Sequence, residues 1–174
     1  MKKFFLVMFG ISLFMTNGCT VIDHSRDPII EPHASWALLP IVNHTETPQA
    51  GRRAEAITEA LLYSQGITRL LRYPSTLQDE SLLLGSDHTL YESALRWAKE
   101  QKIQYALTGT VDEWRYKVGI DGEPAVGVSL QLLDLNTNQV VWSAVGGQTG
   151  WSREAVSAVA QKLIKRLLEE VSVS

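Results

Sequence analysis

Cysteine, histidine and long apolar runs are all scarce in this sequence of 174 residues. The one cysteine, Cys19, excludes a network of internal disulfides and a thiolate-rich zinc site. The four histidines lack the i, i+4 spacing of a helical metal site, so we expect no metal and no cofactor. A net charge of −3 excludes the strongly basic surface of a general nucleic-acid-binding protein. What remains is an ordinary globular composition.

The motifs of common enzymes are also missing. No Gly-x-Ser-x-Gly nucleophile motif occurs, and the glycine-rich stretch at residues 146–150 lacks the Gly-Lys-Ser/Thr ending of a P-loop. We interpret this stretch as a turn rather than an anion-binding loop. Asp112 and Glu113 are adjacent, and adjacent residues on a strand point to opposite faces, so they do not form a catalytic pair. The sequence predicts a protein that is not an enzyme.

The amino terminus has the pattern of an export signal. Lys2 and Lys3 precede an apolar stretch at residues 4–15, which is shorter than the ~20 residues of a membrane-spanning helix. Cys19 lies four residues after this stretch ends, as the modified cysteine does in bacterial lipoproteins. We predict a lipoprotein signal peptide at residues 1–18 and lipidation of Cys19. The alternative is an ordinary signal peptide with an incidental cysteine.

The segment after the cysteine is predicted to be a connection to one folded domain. Residues 19–33 show no periodicity and contain two prolines, so we interpret them as a lipid-anchored tether leading to a domain at 34–174. Thr20, rather than Asp, follows the cysteine, which is typical of lipoproteins sent to the outer membrane. Without the leader, 14 basic and 19 acidic side chains remain, a net charge of about −5.

Apolar periodicity predicts the element order β-α-β-α-β-β-β-α for the domain. Pro40 interrupts the first strand, so that strand lies at a sheet edge or contains a bulge. The resulting class is α/β, a three-layer α/β/α sandwich with a mixed five-stranded sheet. The predicted strands are 34–43, 67–73, 105–118, 126–135 and 139–144; the helices begin at Thr47, His88 and Ser152, and residues 75–87 form a loop or a short helix.

Two residues remain with more than one interpretation. Asp121 lies in the Ile-Asp-Gly-Glu-Pro segment at 120–124, where Asp-Gly is a strong hairpin-turn signal, but an acid at an exposed tip would also present charge to a partner. Trp151 precedes the last helix. With Ser152 as the N-cap it would contact Val156 in a hydrophobic staple; an exposed indole would instead suit a membrane headgroup layer.

Three long segments carry a resemblance to a known family. They read WALLPIVNHTETPQAGRRAEA at 36–56, LTGTVDEWRYKVGIDGEP at 107–124 and QVVWSAVGGQTGWSR at 139–153. Together with the lipoprotein start, they resemble the PelC family, outer-membrane lipoproteins of the Pel exopolysaccharide export system. The likeness covers most of residues 34–172.

The resemblance implies a sandwich related to the amino-terminal domain of TolB and to the curli secretion protein CsgG. It implies a homo-oligomeric ring, a dodecamer, on the periplasmic face of the outer membrane beneath the PelB export barrel. The ring would funnel Pel, a cationic polysaccharide rich in partly deacetylated amino sugars. In the family an Asp lines the central opening and a Trp before the last helix faces the membrane; the matching positions are Asp121 and Trp151. It assigns no role to Asp112, Glu113 or Glu123.

We therefore expect a non-enzymatic export accessory, localised at the outer membrane through lipidated Cys19 and Trp151. One alternative is a lipoprotein activator of a periplasmic cell-wall synthase, although a tether of about 14 residues spans at most about 50 Å. The other is a periplasmic glycan-processing enzyme, which requires two carboxylates facing each other across a cleft.

Overall fold

The computed structural model describes residues 20–25, 30–31, 33–84, 86–117, 122–169 and 171, and within these the chain forms one six-stranded mixed sheet with helices on both faces. The strands are β1 (Thr20–His24), β2 (Trp36–Asn43), β3 (Leu70–Arg72), β4 (Tyr105–Tyr116), β5 (Pro124–Asp134) and β6 (Gln139–Thr149). The helices are α1 (Ala50–Ser64), α2 (Ser75–Leu84), α3 (Asp87–Glu100) and α4 (Val156–Leu168).

The strands are ordered β1-β6-β5-β4-β2-β3 across the sheet. β2 runs parallel to both β3 and β4, because α1 and then α2 and α3 carry the chain back between these strands. β4, β5 and β6 form an antiparallel meander, and β1 adds to β6 in the antiparallel sense. The predicted α/β class with a mixed sheet is confirmed.

The larger core lies between the sheet and the pair of helices α1 and α4. In α4 the buried side chains recur at intervals of three and four residues, so they form one stripe that faces the sheet. They pack against inward-facing residues of the meander such as Leu107, Val128 and Trp142. A smaller core on the opposite face joins α3 to β2 through Ala94 and Leu39.

The prediction of five strands is wrong, because the chain adds a sixth strand, β1, from a segment interpreted as tether. Of its five residues, Ile22 packs against the larger core, whereas Val21 and Asp23 are exposed. One inward apolar residue is too little to produce the alternation that identifies a strand in sequence. The predicted element order also omitted α2, which occupies the stretch left open as a loop or a short helix.

Pro40 lies in a bulge rather than at a sheet edge. β2 is flanked by β4 and β3, and its pairing with β4 shifts between Leu38 and Ile41. The hydroxyl of Thr108 donates to the Pro40 carbonyl at 2.9 Å, and the Ile41 N–H donates to the Glu55 carboxylate at 3.0 Å. The bulge is therefore stabilised by side chains from two other elements.

Both helix starts predicted from capping residues are displaced. α1 begins at Ala50, because the Thr47 hydroxyl donates to the Trp114 carbonyl instead of capping the helix. α4 begins at Val156, so Ser152 is not its N-cap and the predicted staple with Trp151 is wrong.

The glycine-rich stretch at 146–150 is not a turn, because residues up to Thr149 belong to β6. A Cβ at Gly146 would lie 3.0 Å from Leu163 and 3.1 Å from the Val21 carbonyl oxygen. The glycine therefore allows α4 and β1 to approach β6 closely.

Candidate functional site

One end of the sheet gathers most of the features singled out in the sequence. Tyr116 pairs with Pro124 where β4 meets β5, Ala125 pairs with Thr149 at the end of β6, and Thr20 pairs with Gln148 at the start of β1. We call this the hairpin end, formed by residues 20, 44–47, 112–117, 122–124 and 148–154. Trp151 and the residue that follows Cys19 therefore lie at the same end of the molecule.

Cys19 and Asp121 themselves lie outside the described residues. Their neighbours are described: Thr20 is the first residue of β1, and the Lys117 N–H donates to the Glu123 carbonyl at 2.7 Å across the base of the β4–β5 connection. Asp121 belongs in sequence to that connection.

Trp151 is an exposed aromatic on an ordered turn, with 54% of the residue accessible. Its backbone N–H donates to the Glu154 carboxylate at 3.2 Å, and the Lys162 ammonium donates to the same carboxylate at 2.6 Å. The bond from Lys162 holds the pKa of the Glu154 carboxyl below its ordinary value, and the bond from the Trp151 N–H acts in the same direction. This network fixes the backbone from which the indole projects.

A second exposed aromatic, Tyr116, lies beside this turn and was not among the predicted site residues. Its hydroxyl donates to the Glu154 carbonyl at 3.1 Å, while about half of the residue stays accessible. The alternation of β4 places Tyr116 on the same face as the buried Trp114, and this pattern could have identified it.

A groove of about 630 Å³ at the same end is lined by charged side chains of β4 and of the loop after β2. Asp112 accepts hydrogen bonds from Thr110 at 3.0 Å and from Ser129 at 3.2 Å, and His44 Nδ1 lies 3.2 Å from it. Glu113 pairs with Arg115 at 3.0 Å. Asp112 is therefore a positioned carboxylate. The bulge between Val111 and Glu113 brings Asp112 and Glu113 to the same groove, so the prediction that they point to opposite faces is wrong.

Among the described residues no group of three or more His, Cys, Asp or Glu is arranged to hold a metal ion. In the same part of the chain, no helix combines the length and apolar character needed to cross a bilayer.

The fold and these surfaces define the class of protein: a small α/β sandwich that presents aromatic and acidic side chains at one end of its sheet. No family model matches the chain, and a search of curated proteins gives no match. Solved structures do match.

The PelC dodecamer from Paraburkholderia phytofirmans, in space group P6, is 37% identical with a TM-score of 0.76, over 90% of this chain and 99% of that chain. A single-substitution variant of that dodecamer, in space group C2, is 38% identical over 90% and 100% of the two chains, again with a TM-score of 0.76. The lipoprotein GNA1162 from Neisseria meningitidis shares the fold, at 18% identity and a TM-score of 0.57 over 79% and 96%. The chain belongs to the PelC family.

Proposed function

We propose that this chain is a non-enzymatic accessory lipoprotein of Pel polysaccharide export, which assembles into a ring of copies. The observation that carries the proposal is the 37–38% identity, over nine tenths of the chain, to PelC proteins solved as dodecamers. The ring lies on the periplasmic face of the outer membrane and passes cationic polysaccharide to the PelB barrel.

The electrostatic part of the proposal rests on repetition of one acid. Rotational symmetry places Asp121 of every copy at the same radius, and low-dielectric walls around a narrow opening strengthen the summed field. A mature net charge of about −5 is modest, which suits a cationic polymer that must pass without being retained.

The anchoring part is supported by strand register. Because Thr20 pairs with Gln148, a lipid on the preceding Cys19 would enter the leaflet at the hairpin end, next to the exposed Trp151. Tryptophan favours the headgroup layer, where its ring meets both apolar and polar surroundings. The two contacts therefore act on the same membrane surface.

The synthase-activator alternative fits the strand pairing less well. An activator of a distant target needs a long free segment between lipid and domain. Here the segment after Cys19 begins with β1, which is paired with β6 from Thr20 onwards. These residues are held against the sheet and cannot extend the domain away from the lipid.

The funnel is tested by measuring secreted polysaccharide in cells that carry Asp121→Asn at wild-type protein levels. We expect less secretion with an unchanged oligomer mass, because only the charge at the opening is removed. Glu123→Gln is the matched control, since it removes an exposed acid two residues away. Unchanged secretion in the Asp121 variant would show that this residue does not guide the polymer.

The anchor is tested by the mass of the amino-terminal peptide of the mature protein. An acylated peptide beginning at Cys19 is expected, and Cys19→Ser should release the protein from the membrane fraction. A mature terminus without acyl chains would contradict lipidation and leave Trp151 as the remaining proposed membrane contact.

A further inference from the structure

Half of one sheet face has no helix over it in the described structure. α1 and α4 cover the opposite face, whereas α3 packs on β2 and the smaller core stays near that strand. The residues that β5, β6 and β1 place on the α3 side are partly or fully exposed, except Ala125 and Leu133 of β5, which are buried. They include Val21, Asp23, Ser129, Gln131, Val145 and Gly147, which we call the open sheet face.

The open sheet face has the character of a contact surface. Val21 and Val145 are 73% and 50% exposed, although valines at such strand positions are usually covered. Gly127 pairs with Gly147 across β5 and β6, so two adjacent strands there lack side chains and permit a close approach. A shallow groove of about 420 Å³ runs beside Asp23 and Ser129.

Charge indicates what covers this face. Asp23 and Asp112 are exposed on the open side of the sheet, and Glu113 adds a carboxylate that Arg115 offsets. The outer surfaces of α1 and α4, on the opposite side of the molecule, carry basic residues. Exposed members of that set include Arg53 and Lys165.

These two surfaces lie on opposite sides of the same chain. A contact between two different patches is heterologous, and repeating it from copy to copy gives a ring when the rotation between successive copies closes. A molecule with two acidic faces, or with helices covering both faces of its sheet, would lack these two complementary surfaces. The two unlike faces of this chain therefore fit a head-to-tail arrangement.

We propose that the open sheet face of one copy packs against the outer side of α1 and α4 of the next copy. This inference rests on the ring assembly proposed above and specifies its interface. The neighbour's helices would complete the uncovered layer of each sandwich, and unlike charges would face each other across the contact.

Gly147→Arg tests the sheet side of the contact. A Cβ at Gly147 meets only the Val126 carbonyl oxygen, at 3.9 Å, so the larger side chain fits the folded chain but blocks close packing by another copy. Leu71→Arg is the matched control, because Leu71 is an exposed strand residue at the opposite edge of the sheet, on β3. The lipidated full chain is extracted in detergent, and its oligomer mass is measured by native mass spectrometry.

We expect the wild-type chain and Leu71→Arg to give the same closed oligomer, and Gly147→Arg to give a monomer with an unchanged unfolding midpoint. A Gly147→Arg protein that assembles like wild type overturns the inference while the ring proposal stands. A wild-type chain that is monomeric over a wide range of concentration overturns the ring proposal, and with it the interface.

Mixing variants tests the head-to-tail character. Arg53→Glu combined with Lys165→Glu reverses charge on the helix side and should also prevent assembly. Mixed with Gly147→Arg, each variant still offers one intact surface, so we expect heterodimers and no larger species. Absence of heterodimers would show that these two surfaces are not partners.

Discussion

Replacing Glu55 tests how a buried carboxylate stabilises the bulge in β2. Its side chain is 2% exposed, lies 2.8 Å from Arg72 Nη2 and accepts hydrogen bonds from the Ile41 N–H and, at 3.3 Å, from Gln78 Nε2. One side chain on α1 thus connects β2, β3 and α2. We expect Glu55→Ala to destabilise the fold.

The magnitude follows from which partner is left without a bond. The Ile41 N–H would stay buried without its acceptor, which costs about 1–3 kcal/mol. The Arg72 side chain is 32% exposed and can turn towards water, so its loss is smaller than the ~3–5 kcal/mol that follows when a fully buried pair is broken. Together we expect about 3 kcal/mol. Glu55→Gln keeps an acceptor oxygen and should lose about half of that.

The assay is urea unfolding at equal protein concentration, followed by tryptophan fluorescence. Glu59→Ala is the matched control, because Glu59 also pairs with Arg72, at 3.3 Å, but is 27% exposed. A partly exposed pair of this kind contributes about 1 kcal/mol or less. Equal losses of unfolding free energy for the Glu55 and Glu59 alanine variants would refute the role given to the Ile41 N–H.

Three further predictions concern α1 and the hairpin end. Gly51→Ala should lower stability to urea despite the ~1 kcal/mol helix-propensity gain of alanine, because the new Cβ would lie 2.1 Å from a main-chain oxygen of β2. The pKa of Glu154 is lower in the folded than in the unfolded state, so the stability that this carboxylate contributes is complete above the unfolded pKa and is lost as pH falls through the folded pKa. Indole fluorescence should therefore show a transition at acid pH that depends on Glu154 and Lys162. Glu154→Gln should remove that transition. Trp151→Ala should reduce binding to phosphatidylethanolamine–phosphatidylglycerol vesicles several-fold with little change in urea midpoint, whereas Tyr63→Ala, another exposed aromatic, should not.

The parts of the fold that could be predicted are those with long, regular apolar patterns. The stripe of α4 and the alternation of β5 each involve many buried residues, so their type and approximate position follow from the sequence. Pro40 likewise predicted that its strand is a sheet edge or contains a bulge, and the structure confirms the bulge. The end of α1 two residues before Gly66, which has a φ of +89°, follows from a local rule as well.

The rest depends on contacts between distant residues. Thr47 has the residue type of a cap, but Trp114, from β4, provides a better-placed acceptor, and the helix starts later. Asp112 receives bonds from β4 and β5 and faces His44, which follows β2, so its environment exists only after the sheet has formed. No spacing in the sequence contains that information.

The pairing of Thr20 with Gln148 has a consequence for how copies meet. With the proposed acyl chains on Cys19, no flexible chain would separate lipid from sheet, and each domain would be held at one height and with one end towards the leaflet. Such copies have already lost much of the translational and rotational freedom that association in solution removes. Their encounters take place in two dimensions at a raised effective concentration. The same contact would therefore assemble more completely on a membrane than in detergent, without any additional bond between copies.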